Sequence, residues 1–186
     1  MQFSELVRGV CLRVPVDGGD AVGAVDRVRA ARFGRALATL LVRRQLPCSP
    51  VVLARTDDGE AQRALRDGFV RGLVSSGADV LDLGRAASEL FAFGLRAGHD
   101  GRECAAGVLL GSLGEATSVM TFVGLSPTSA ATLEELAQLA DDGVFVVGAG
   151  RVSFPDLRAA FRAEAGDSFD ISFELTDDDT REGPAL

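Results

Sequence analysis

Ser112 stands in Leu110-Gly111-Ser112-Leu113-Gly114, directly after the apolar run Gly107-Val108-Leu109-Leu110. A serine in a small-residue loop behind a buried-type strand can offer its hydroxyl to a ligand while loop N–H groups face an anion. The same residues also suit an ordinary tight hairpin turn. A serine-hydrolase arrangement fails, because a nucleophile elbow needs glycine two places before the serine, and that place is Leu110. His99-Asp100-Gly101-Arg102-Glu103-Cys104 gathers potential metal ligands, but no spacing within it puts three on one face, so it reads as a solvent-exposed turn. Gly148-Ala149-Gly150-Arg151-Val152-Ser153 starts like a dinucleotide-binding turn and then departs from it. Ser153 replaces the third glycine, Pro155 falls where the phosphate-cradling helix should begin, and too little chain follows for the fold half that such a turn opens. It reads as an ordinary turn.

Composition removes other chemistries. All 19 basic residues are arginine, and the 186-residue chain has one histidine and no lysine, asparagine, tryptophan or tyrosine. Schiff-base catalysis, a lysine-bearing P-loop and a paired-histidine zinc helix therefore lack their residues. A net charge of -8 argues against nucleic acid as a partner, since phosphate recognition needs a positive surface. The charge is uneven: residues 1–72 carry 12 Arg against 8 acids, the remainder 7 Arg against 19 acids. Solvated helix faces and an acidic tail account for that split. Cys11, Cys48 and Cys104 are widely spaced, form no CxxC, and read as reduced, buried thiols. The start, Met1-Gln2-Phe3-Ser4-Glu5, lacks the basic residues and apolar run of a signal peptide, and no apolar stretch is long enough to span a bilayer. The expectation is a cytoplasmic protein with no membrane partner.

Strands alternating with helices predict a layered α/β protein. Val7–Val16 reads as a strand ending in the turn Asp17-Gly18-Gly19-Asp20, and the three-to-four spacing of Val25, Val28, Arg32/Phe33, Ala36/Leu37 and Leu40/Leu41 predicts a helix. Val51-Val52-Leu53-Ala54 is a strand buried on both faces, and Ala61, Leu65, Phe69 and Leu73 mark a helix closed by Ser76-Gly77. A strand at Val80–Leu83, a helix at Ala86–Arg96 and a strand at Ala105–Leu110 follow. Ser118–Val123 lies close enough behind that strand to pair with it antiparallel. Further on, Thr132–Leu139 is helical, Val144–Val147 is an apolar run, and Phe154–Ala165 is a helix with Ser153 as N-cap. The expected fold is a three-layer α/β/α sandwich with a mixed, mainly parallel sheet. Residues 1–165 form the domain, and residues 166–186 add an edge strand (Phe169–Leu175) and an acidic C-terminal tail.

The order of these elements resembles the first α/β/α domain of the phosphohexomutases, the phosphoglucomutase and phosphomannomutase family, over residues 3–165. Phe3-Ser4-Glu5-Leu6-Val7-Arg8-Gly9-Val10 is similar to that family's opening segment, and Phe33-Gly34-Arg35-Ala36 to its first helix. Val51-Val52-Leu53-Ala54-Arg55-Thr56 falls on its strand followed by Gly-Arg-Asp. The run from Ala64 to Gly84, with Gly77-Ala78-Asp79-Val80 and Asp82-Leu83-Gly84, is the most similar part. In that family the strand matching Gly107-Val108-Leu109-Leu110 enters a loop reading Thr-Gly-Ser-His-Asn-Pro, whose serine carries the exchanged phosphoryl group. Gly111-Ser112 falls on its Gly-Ser, so the resemblance implies Ser112 as the catalytic position and Arg8, Arg55 and Gly111 as phosphate- or sugar-binding positions.

The loop then departs from the family: Leu113-Gly114-Glu115 replaces His-Asn-Pro, and the lysine expected soon after is missing. Phosphoryl transfer relies on cations that neutralise charge on the moving group, and Glu115 adds charge of the wrong sign. The family's metal loop, sugar loop and phosphate-clamping loop belong to later domains. The resemblance therefore implies a stand-alone, catalytically degenerate relative of the first domain, a binding or assembly module linked to sugar-phosphate (carbohydrate) metabolism. The alternative is a phosphohexomutase subunit that donates Ser112 as phosphoserine to a site completed by another chain. The expected partners are a sugar phosphate, a second copy of the chain, or a chain carrying the missing domains. No cofactor or metal is expected in this chain, with Mg²⁺ entering only through such a partner.

Overall fold

The computed structural model describes residues 7–8, 11–15, 20–47, 49–99, 102–113 and 116–165. Two short strands, β1 (Val7–Arg8) and β2 (Cys11–Pro15), pair antiparallel where a single strand is expected. The helix α1 (Asp20–Arg43) follows, then β3 (Val51–Arg55), α2 (Glu60–Ser75), β4 (Val80–Arg85) and α3 (Ser88–Ala97). β5 (Ala106–Leu113) and β6 (Ala116–Val123) form the antiparallel pair that the short separation of their apolar runs predicts. β7 (Ser126–Pro127), α4 (Ala130–Asp142), β8 (Val152–Ser153) and α5 (Arg158–Ala165) complete the described chain.

The strands form one mixed sheet in the order β1-β2-β6-β5-β3-β4-β8, with β7 beside β6. β5, β3, β4 and β8 run parallel, and the β1, β2, β6 side is antiparallel. Alternation along β3 explains the layers. Val51 and Leu53 join the core under α1, α2 and α4, whereas Val52 and Ala54 face α3 and α5. The expected α/β/α sandwich is therefore the fold observed.

One expectation in the last third is corrected. The apolar run Val144–Val147 lies outside the sheet, with Val144 and Val147 exposed, and the strand that pairs with β4 is Val152–Ser153. Ser153 lies in that strand and so cannot cap a helix; α5 starts at Arg158, whose N–H donates to the Asp156 carboxylate at 3.1 Å. Glycine spacing gives the reason. Gly148 and Gly150 donate to the Ser75 and Val74 carbonyls at 3.1 and 2.9 Å, and a Cβ on Gly148 would stand 2.7 Å from the Gly77 Cα. These glycines let 148–150 press on the turn before β4, and only beyond them can the chain line up as a strand. The expected edge strand Phe169–Leu175 and tail lie outside the described residues.

Glycines also set the closest helix contact. A Cβ on Gly68 would fall 2.6 Å from the Ala30 Cβ, and one on Gly72 would run into the Ala31 carbonyl. Alanine in a helix interior normally gains about 1 kcal/mol over glycine. Here overpacking against rigid backbone outweighs that gain, so Gly72→Ala should destabilise by about 2 kcal/mol in urea unfolding. A neutral or stabilising result would contradict this packing.

At the amino ends of the parallel strands, Asp79 joins three segments. Its carboxylate bonds the Ser49 hydroxyl, accepts from the Arg151 N–H at 3.0 Å and faces the Arg102 guanidinium at 3.4 Å. The Ser49 hydroxyl leads these in holding Asp79 below the usual carboxylate range, against an opposing effect of burial. A depressed folded-state pKa means stability present above the unfolded value, about 3.9, and lost as pH falls through the folded one. Between about pH 5 and 2, Asp79→Asn should lose less stability than wild type, measured as urea midpoints across pH. Parallel losses would contradict the assignment.

Candidate functional site

In an open α/β sheet, ligands bind beyond the carboxyl ends of the strands, at the point where the chain reverses its direction of winding. Here the chain passes from β3 to β4 through α2 on one face, then returns across β3 to β5 through α3 on the other. The reversal lies between β3 and β5, whose carboxyl ends carry Arg55, Gly111 and Ser112.

Arg55 closes β3 and opposes Leu110 of β5. Its guanidinium, largely buried, pairs with the Asp58 carboxylate and donates to the Asp57 carbonyl at 3.4 Å. Thr56 extends the ladder, its N–H donating to the Leu110 carbonyl at 2.8 Å. The loop into α2 is fastened by Asp57. Its carboxylate accepts from the Gly59 N–H at 2.8 Å and from the Gln62 side-chain amide at 2.6 Å, and the Asp57 N–H donates back to Gln62 at 3.2 Å. This reciprocal pairing supplies the cap that Gly59, without a side chain, cannot provide at the start of α2.

β4 contributes a residue that the sequence reading did not single out. Leu53 opposes Asp82, but Arg55 opposes Arg85, so β4 holds one residue more than β3 between these points. Gly84 absorbs it with a left-handed φ of 62°, and its N–H donates to the Asp82 carboxylate at 2.8 Å. Asp82 is buried, and its other oxygen accepts from Arg66 of α2, Nε at 2.6 Å. Burial works against the charge on Arg66, but Asp82 and Asp67 outweigh it and raise the Arg66 pKa. The Phe154 ring lies 5.8 Å from the same guanidinium. The outcome is two arginines side by side, with Asp58 reaching Arg85 at 3.8 Å as well as Arg55.

Gly111 is the floor on the other side of the reversal. A Cβ there would stand 3.0 Å from the Ser118 hydroxyl, which would have to shift, while the Thr56 hydroxyl at 3.8 Å would be in ordinary contact. Ser112 is not in an open loop: it belongs to β5 and opposes Thr117, and Leu113 opposes Ala116. Arg8 ends β1 at the far edge of the sheet, separated from β3 by β2, β6 and β5, or about 19 Å across the ladder. Arg55, Gly111 and Ser112 thus come together and Arg8 does not join them. Arg85 could have been found from the Asp-Leu-Gly triplet, the pattern of an aspartate bonding the N–H two residues on.

The other sequence features have structural roles. His99 and Arg102 exchange backbone hydrogen bonds at 3.0 Å, making the expected turn. Burial raises the Cys104 thiol to about 11, which keeps it protonated and inert. Among the described residues no group of three His, Cys, Asp or Glu side chains could hold a metal ion. The acids at the strand ends are engaged with donors instead, Asp57 with Gln62, Asp58 with Arg55 and Asp82 with Arg66, and so do not fit a Mg²⁺ ion. No described helix is long and apolar enough to cross a membrane.

No protein-family model matches the chain. No curated protein matches it either. Among solved structures, it is similar to a phosphoglucomutase/phosphomannomutase family protein from Burkholderia thailandensis, with a TM-score of 0.71 at 18% identity. The match covers 87% of this chain and 35% of that one, so this chain spans about a third of its neighbour's length. At that identity the likeness is one of fold.

The Arg66–Asp82 pair holds the register that sets Arg85 beside Arg55. Asp82→Ala strands a half-buried guanidinium and releases Gly84, so it should cost about 3 kcal/mol in urea unfolding. Asp82→Leu combined with Arg66→Met should recover much of that loss. A single-variant cost below about 1 kcal/mol would show that the pair is not structural.

Proposed function

We propose that this chain is a relative of the phosphohexomutase first domain that binds a phosphorylated sugar at the carboxyl ends of β3, β4 and β5 and does not turn it over by itself. The fold likeness over 87% of the chain supports the relationship. The observation that carries the loss of turnover is the β5–β6 register. The position onto which the phosphoserine falls is paired with Thr117, and only Gly114 and Glu115 separate the paired residues Leu113 and Ala116. In-line phosphoryl transfer needs the serine presented to its acceptor, whereas a residue two places before a two-residue connection has its backbone held in register with the partner strand.

Electrostatics favours the same reading. Moving a phosphoryl group requires positive charge around it, each 1.36 kcal/mol of lost stabilisation being tenfold in rate. Asp58 places negative charge along this edge, and Arg55 and Arg85 supply cation enough to hold an anion. A sugar phosphate would sit with its phosphate towards the arginines and its hydroxyls towards Thr56 and Ser118. Such a module acts through a second chain, either another copy of itself or a polypeptide with the remaining domains.

Purified protein given glucose or mannose 1-phosphate, a bisphosphate primer and Mg²⁺ should show no conversion above the protein-free background, and Ser112→Ala should change nothing. Turnover that Ser112→Ala abolishes would overturn the proposal. Phosphate appearing on Ser112 only when a second chain is added would instead support a subunit that donates its serine.

A further inference from the structure

We propose that Arg55 and Arg85 form a binding site for the dianion of a phosphate monoester, and that the Asp58 carboxylate is its built-in competitor. The inference rests on the sugar-phosphate reading and deepens it by naming the two cations and the group that regulates them. Two observations carry it. The extra residue in β4 brings the arginines into register on adjacent parallel strands, which stand about 4.8 Å apart. Like charges so close repel unless an anion lies between them. Asp58 supplies that anion, one carboxylate oxygen on Arg55 and the other 3.8 Å from Arg85.

The two contacts are unequal. The Arg55 side chain is 13% exposed and is further held by the Asp57 carbonyl, so it is the fixed donor. Arg85 and Asp58 are 50% and 47% exposed, and 3.8 Å is too long for a direct hydrogen bond. Asp58 lies on a loop outside the ladder, between the fastened Asp57 and the start of α2. It can rotate outward without disturbing the strand pairing. A phosphate monoester carries up to twice the charge of a carboxylate and three acceptor oxygens, and can engage both guanidinium forks where Asp58 satisfies one well. Binding therefore exchanges a weak internal anion for a stronger external one. Removing the internal charge should tighten binding.

The test uses the full chain and inorganic phosphate, titrated calorimetrically at low ionic strength. Asp58→Asn should bind phosphate about fivefold tighter than wild type, the scale expected for an exposed ion pair. Asp58→Glu, which restores the charge, should return to the wild-type value, and Arg85→Gln in the Asp58→Asn background should weaken binding at least as much as Asp58→Asn strengthens it. Asp58→Ser serves as a second neutral variant if Asp58→Asn does not fold. Equal affinity in wild type and the neutral variants would overturn this inference and leave the sugar-phosphate reading standing. Absence of phosphate binding in every protein would overturn both.

Discussion

Two positive charges in register on neighbouring strands are the constraint around which this end of the molecule is organised. Arg55 and Arg85 oppose one another only because β4 carries one residue more than β3. That residue is accommodated by the left-handed Gly84, which the Asp82 carboxylate holds through its N–H, and Asp82 is in turn held by Arg66. A buried carboxylate beneath α2 is costly unless it is paired and hydrogen-bonded. Here that cost is offset by the Arg66 guanidinium and the Gly84 N–H and yields a defined register. The chain of dependence runs from Arg66 in α2, through Asp82 and Gly84, to the spacing of two guanidinium groups at the carboxyl ends of β3 and β4.

The two ends of the sheet have opposite character. At the amino ends, Gly148 and Gly150 lay backbone on backbone against the turn before β4, and Asp79 joins Ser49, Arg102 and Arg151. Nothing the size of a ligand fits where a single added Cβ would meet the Gly77 Cα at 2.7 Å. At the carboxyl ends the strands finish in arginines, hydroxyls and a glycine floor. This is the polarity expected of a sheet whose helices cross on alternate faces. The glycine pair that starts like a dinucleotide turn therefore sits at the packed end, away from the reversal between β3 and β5.

The interior of the sheet was legible because burial on both faces leaves a strong mark: Val51-Val52-Leu53-Ala54 and Val80-Leu81 are continuous apolar runs, and α2 shows its four-residue spacing. The β5–β6 hairpin was legible from the short distance between two such runs. The strand Val152–Ser153 was not legible because two residues carry no periodicity, and the edge of β4 is reached only after the glycines. Of the candidate site, Arg55, Gly111 and Ser112 were placed together. The pairing of Ser112 with Thr117 was hidden, since small residues suit a loop and a strand end equally. Arg85 was hidden because a one-residue register shift between strands leaves only the faint Asp-Leu-Gly signature along the chain.

The most direct measurement is an NMR titration of backbone amides and arginine Nε groups in the full chain with glucose 1-phosphate. Binding at the proposed edge predicts shifts confined to residues 55–59, 84–86 and 111–118, with the largest side-chain changes on Arg55 and Arg85. Shifts centred on residues 77–79 and 148–151, or none at millimolar ligand, would contradict the account.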